Sequence, residues 1–126
     1  MREVVAAIIL SDKRLLVVKK KGTWITPGGK LVAGELYADC LRREVAEELS
    51  GTRITNIRAY KIFEGIGLPC DGVVRVHFYF TDIDGGLGKI ASELEDYTWA
   101  RKHDSLNMTE PTRELFESLK REGYLG

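Results

Sequence analysis

The sequence predicts an α/β fold of the α+β kind, in which a mixed β-sheet is held between helices. Apolar runs of strand length open the chain and recur around residues 54–63 and 74–81. A segment of helical period stands between these groups, and the order strands, helix, strands, helix lacks regular βαβ alternation. One domain over residues 1–126 is expected, because 126 residues, 44% of them hydrophobic, suit one compact core.

The first strand is read in Val4-Val5-Ala6-Ala7-Ile8-Ile9-Leu10. After the polar Ser11-Asp12-Lys13-Arg14, Leu15-Leu16-Val17-Val18 gives a second, so the two are expected to form a hairpin in a largely covered sheet. Lys19-Lys20-Lys21-Gly22 then breaks the pattern. Trp24-Ile25-Thr26-Pro27-Gly28-Gly29 reads as a short extended piece ending in a turn, where the two glycines permit positive φ. A helix is expected over residues 36–49, with Ala38, Leu41, Val45 and Leu49 at helical spacing, Asp39 near its start and Gly51 as its left-handed stop.

Two further strands follow. In the second, Val74, Val76, Phe78 and Phe80 alternate with Arg75, His77, Tyr79 and Thr81. Residues 64–72 between them read as a loop long enough to border a site. Asp84-Gly85-Gly86-Leu87-Gly88 is a turn cluster and Tyr97-Thr98-Trp99-Ala100 a short last strand. A helix over residues 109–120 carries Leu115, Phe116 and Leu119, with Pro111 in its first turn.

The 19 basic and 19 acidic residues cancel, so no global field exists to hold DNA by counterion release. No apolar stretch reaches the roughly 20 residues that span a bilayer. The chain is therefore expected to be cytoplasmic, without signal peptide or membrane contact. Cys40 and Cys70 lack zinc-site spacing and are expected to be reduced, Cys40 inside a helix and Cys70 in a loop.

On the first helix, Glu44, Glu47 and Glu48 stand at i, i+3 and i+4, so three carboxylates share one face at the edge of the core. Like charges so placed need compensation. Arg43 supplies part of it, and a hard divalent cation with oxygen ligands would supply the rest. A solvated acidic face is the ordinary alternative for such a helix taken alone.

Gly29, Glu35, Arg43, Glu44, Val45, Glu47 and Glu48 stand at the offsets of the signature G-x5-E-x7-R-E-U-x-E-E-x-G-U, where U is a bulky aliphatic residue. The chain thus resembles the Nudix hydrolases, of the compact MutT-like type. Only the end departs: Leu49-Ser50-Gly51 either puts serine in the glycine's place or adds a residue before Gly51. That puts the helix exit in question.

The resemblance implies an α/β/α sandwich around a mixed sheet, and a Mg²⁺-dependent hydrolase, with Mn²⁺ as the alternative metal. Its substrate would be a phosphoanhydride in a nucleoside diphosphate linked to another moiety. Carried over by position, Glu44, Glu47 and Glu48 would be metal ligands, Arg43 would hold a carboxylate in place, and Gly29 would let the loop backbone approach the helix end. Glu35 is left between a supporting contact, an outer-sphere metal contact and a plain helix-start role. Glu44 is the first choice for general base, with Glu93 or Glu95 as alternatives that would also touch metal.

A nucleoside triphosphate, oxidised ones included, is ranked first as substrate. ADP-ribose, other nucleoside diphosphate sugars and dinucleoside polyphosphates follow, and an RNA 5′ end stands against the balanced charge. A non-catalytic nucleotide-binding module is the rival class, and a homodimer is kept open. Arg75 is read as meeting a phosphate, Tyr79 as stacking on a base or ribose, and Asn107 as touching a purine edge, each against an ordinary structural role. Trp24 is assigned to the core ahead of a base platform, Lys19-Lys20-Lys21 to a solvated strand end ahead of a polyphosphate contact, and His103 has no evident partner.

Overall fold

Residues 1–102 and 105–126 are described by the structure, a computed structural model; His103 lies outside the described residues. Ten elements follow in order: β1 (Arg2–Ile8), β2 (Leu10–Ser11), β3 (Arg14–Lys20), β4 (Thr23–Ile25), β5 (Gly28–Lys30), α1 (Tyr37–Glu48), β6 (Arg53–Ile66), β7 (Val73–Asp84), β8 (Asp96–Ala100) and α2 (Glu110–Arg121).

The opening apolar run does not form one arm of a hairpin. It breaks at Ile9 and serves two sheets. β1 lies in a mixed sheet ordered β5-β1-β7-β6, antiparallel to β5 and parallel to β7. β2 turns back on β3, and β3 also carries β4 and β8. Asp12 and Lys13 at φ 51 and 56, then Lys21 and Gly22 at φ 51 and 73, make the two-residue turns that keep these hairpins tight.

Continuous apolar runs make sense because both sheets are covered on both faces. Ala6, Ile8, Leu15, Val17, Val76 and Phe78 pack toward Leu115, Phe116 and Leu119 of α2. Val5, Ala7, Leu16 and Val18 pack toward Cys40, Leu41, Val45 and Leu49 of α1. The result is the expected helix, sheet, helix layering, with Trp24 against the α2-side core.

Two further expectations are corrected. Gly28 and Gly29 have no positive φ and form a strand paired to β1. β6 continues to Ile66, so only residues 67–72 remain of the expected loop, closed at its base by Gly67 N–H donating to Gly72 O at 2.9 Å. Both cysteines are free, Cys40 buried and Cys70 exposed.

Candidate active site

The last two turns of α1 run beneath β5, and glycine is what lets them come so close. A Cβ on Gly29 would stand 2.2 Å from the Glu44 carboxyl carbon of α1, while one on Gly28 would stand 2.0 Å from the Val5 carbonyl oxygen of the neighbouring β1. Arg43 sets the acids around this contact. Its Nε and Nη2 donate to the two oxygens of Glu35 at 2.8 and 3.0 Å, and its Nη1 to Glu44 at 2.9 Å. Glu47 is reached at 3.5 Å and is otherwise exposed. The guanidinium holds the Glu35 carboxyl down at about 2, and the carboxylates raise the Arg43 pKa in turn. Glu35 is therefore a brace for Arg43. Burial pushes the neighbouring Cys40 thiol up to about 11, so it is inert.

Glu48 differs from its neighbours. Its side chain is 1% exposed, deeper than the core-edge position read from the helical wheel. Oε1 accepts the Gly28 N–H at 2.9 Å, but Oε2 is buried with no hydrogen-bond partner, Lys20 Nζ being 3.9 Å away. Burial pushes the carboxyl up to about 7, and the nearby charges of Glu44 and Glu93 add to this. An orphaned oxygen among like charges is a donor set suited to a hard cation. The acids nonetheless diverge: among the described residues no three His, Cys, Asp or Glu side chains are gathered as a metal site.

Beside Glu44 opens a cleft of about 220 Å³. Its floor is the α2-facing side of the first sheet, with Val4 and Ala6 of β1 next to Val74, Val76 and Phe78 of β7. Lys20, Lys21 and Lys30 also line it, as do Thr26, Thr109 and Thr112 and, from loop 67–72, Leu68 and Asp71. Lys30 Nζ meets Asp71 Oδ1 at 2.9 Å across the cleft.

A model of the NUDIX domain matches residues 1–119. The chain belongs to the Nudix family. It is 30% identical over 113 residues to the uncharacterized Nudix hydrolase YvcI of Bacillus subtilis (strain 168), covering 86% of this chain and 71% of that one. It is 27% identical over 97 residues to the NAD-capped RNA hydrolase ndx-9 of Caenorhabditis elegans, which covers 74% of this chain but only 26% of that protein. In structure it matches the MutT NUDIX hydrolase from Burkholderia pseudomallei with a TM-score of 0.79 at 24% identity, over 92% of this chain and 95% of that one. A UDP-X diphosphatase matches with a TM-score of 0.77 at 19% identity, over 99% of this chain and 64% of that one. The protein is thus a Nudix hydrolase, of a family that acts on nucleoside diphosphate-linked compounds and generally uses divalent metals. No helix among the described residues is long and apolar enough to cross a membrane.

Residues outside the Nudix signature fall in less expected places. Arg75 and Tyr79 do not line the cleft. They stand on the opposite face of β7, where Arg75 is paired with Glu64 at 2.7 Å and Glu3 at 3.2 Å, and Tyr79 packs on the α1-side core. His77 joins them through Glu3 and the edge of Tyr37. Asn107 is not on the cleft but lines a neighbouring hollow with Thr23 and Leu68; its side-chain amide donates to Gly22 O at 3.3 Å and its backbone carbonyl accepts the Trp24 N–H at 2.8 Å.

Of the downstream acids, Glu95 accepts the Gly22 N–H at 3.3 Å, whereas Glu93 is close enough to Glu48 to act on its titration. Loop 88–95 gains that position because Ala91 N–H donates to the Glu48 carbonyl at 2.8 Å. Lys20 and Lys21, read as a solvated strand end, are cleft residues. At the altered end of the Nudix signature, Gly51 N–H reaches back to Ala46 O at 2.8 Å, which puts Ser50, at φ 25, where a helix-terminating glycine normally stands. Serine thus replaces the signature glycine, with Gly51 following at φ 80.

Proposed function

We propose that this protein hydrolyses a phosphoanhydride bond in a nucleoside triphosphate, an oxidised one included, with Mg²⁺ as its metal and Mn²⁺ as a substitute. The observation that carries this reading is the junction of two unlike surfaces. Glu44 lines one end of the cleft, the charge of Glu44 acts on the buried Glu48 carboxyl, whose Oε2 accepts no hydrogen bond, and an apolar floor ringed by lysines fills the rest. An apolar floor suits a nucleobase, and Lys20, Lys21 and Lys30 suit phosphates. The volume is below the roughly 300–1,000 Å³ of pockets that enclose a whole drug-sized ligand. That fits a base inside and a phosphate chain reaching out to the acids.

Glu44, Glu47 and Glu48 would hold the metal, with Glu93 at its border. A bound divalent ion neutralises phosphate oxygens and lowers the pKa of coordinated water. Arg43 keeps Glu44 aimed along the Gly29 backbone, and the Gly28 N–H fixes one oxygen of Glu48. Glu44 is assigned as general base and Glu93 as its alternative, since only Glu93 of the two downstream acids lies near Glu48. Lys30 leaves Asp71 to meet the substrate phosphates.

The test is a phosphate-release screen of the purified protein with Mg²⁺ or Mn²⁺. The panel holds the (d)NTPs with 8-oxo-dGTP, ADP-ribose, UDP-glucose, diadenosine polyphosphates and an NAD-capped oligonucleotide. Preferred turnover of one nucleoside triphosphate supports the proposal. Preference for a diphosphate-linked compound moves the assignment to that class, and silence with both metals favours a binding module.

A further inference from the structure

Three threonines line the cleft, and none of their hydroxyls makes the usual bond to the backbone. Thr26, between β4 and β5, is 3% exposed, and its Oγ1 is buried with no hydrogen-bond partner. A buried hydroxyl left unpaired weakens the free protein, so such a group calls for an explanation. Across the cleft, Thr109 holds the N-cap position of α2, where a threonine oxygen ordinarily accepts a helix N–H. Here it makes no cap bond and instead lies 2.7 Å from Thr112 Oγ1. One hydrogen suffices for that contact, which leaves the pair a second hydroxyl hydrogen to donate. Val76 and Phe78, which also line the cleft, offer only carbon.

We propose that Thr26, with the Thr109–Thr112 pair, determines specificity. The hydroxyls hydrogen-bond the carbonyl-bearing edge of a planar heterocycle whose face rests on Val76 and Phe78. This rests on the nucleotide reading of the cleft and adds what tells one ring from another. A ring edge that satisfies Thr26 recovers the cost of the orphaned hydroxyl. A ring without that edge, or a ligand without a ring, leaves it unpaid.

The decisive variant is Thr26→Val, which keeps the shape and removes the hydroxyl, with Thr26→Ser as the conservative control. Binding is measured by calorimetry in EDTA for GTP, UTP, ATP and inorganic triphosphate, and KM and kcat are measured with metal. Thr26→Val is expected to melt no lower than the parent and to bind the preferred nucleotide about ten-fold more weakly. Its KM rises while kcat holds, inorganic triphosphate binds as before, and Thr26→Ser keeps the preference. Unchanged nucleotide affinity in Thr26→Val, or an equal loss for inorganic triphosphate, overturns the proposal alone. A parent protein that binds no nucleotide better than inorganic triphosphate overturns the nucleotide reading and this inference with it.

Discussion

Strand β7 has one polar face and one apolar face, and the apolar one borders the cleft. Arg75, His77 and Tyr79 look like a binding surface in isolation, yet Glu3 and Glu64 already occupy Arg75, Glu3 also holds His77, and α1 covers Tyr79. Val74, Val76 and Phe78 look like ordinary core, yet α2 leaves part of that side open and lysines from β3 and β5 ring it. Polarity alone does not mark a site. What marks it is unspent bonding capacity at or behind accessible space: the hydroxyl of Thr26 on the cleft and, behind Glu44, the oxygen of Glu48 that accepts no hydrogen bond.

The largest expected effect of breaking this contrast is at Glu48. Glu48→Gln should abolish turnover while the protein stays folded, as read by phosphate release and circular dichroism. Its folded pKa of about 7 lies above the ordinary 4.5, so the associated stability is complete below about pH 4.5 and disappears as pH rises through 7. In chelator, denaturant melts of the parent protein should lose about 3 kcal/mol across that window, and Glu48→Gln should not. A pH-independent parent protein would refute the buried-carboxylate account.

Next comes the glycine pair. Gly29→Ala pushes on the movable Glu44 carboxylate, so kcat/KM should fall on the order of 100-fold with melting little changed. Gly28→Ala pushes on the fixed Val5 carbonyl and should instead cost about 3 kcal/mol of stability in the same melts. The two cations on opposite faces give the sharpest small test. Lys30→Ala should raise substrate KM about ten-fold in steady-state assays, while Arg75→Ala should leave KM unchanged; a matching rise at Arg75 would restore the polar face as a binding surface.

How far the sequence carries depends on what fixes each residue's neighbours. Arg43, Glu44, Glu47 and Glu48 were readable because helical geometry alone relates them, and the layered fold was readable from runs such as Leu15 to Val18. The partners of Arg75 were not, because Glu3 is its neighbour only through the parallel register of β1 on β7. The signature already implied that Gly29 lets the backbone approach the helix, as Glu44 opposite it bears out, but for Gly28 the reason changed from turn conformation to close approach once the Val5 carbonyl was seen opposite it. Lys20 stood out only as part of a basic run that was read as a solvated strand end ahead of a polyphosphate contact, and Thr26 carried no signal at all, since both line a cleft that β4, loop 67–72 and α2 enclose.

The parallel pairing of β1 with β7 also orders events in time. Arg2 pairs with Val74 and Ile8 with Phe80, so each contact closes a loop longer than half the chain. The hairpins around β3 and the α1 helix rely on near neighbours and can form while the chain is still being made. β1 can pair early with β5 on one edge, but its other edge stays open until β7 has left the ribosome. The floor of the cleft is made of just this pairing, so competence to bind a ligand depends on a long-range closure, as does the still longer pairing of β3 with β8, whereas the acidic helix needs only near neighbours.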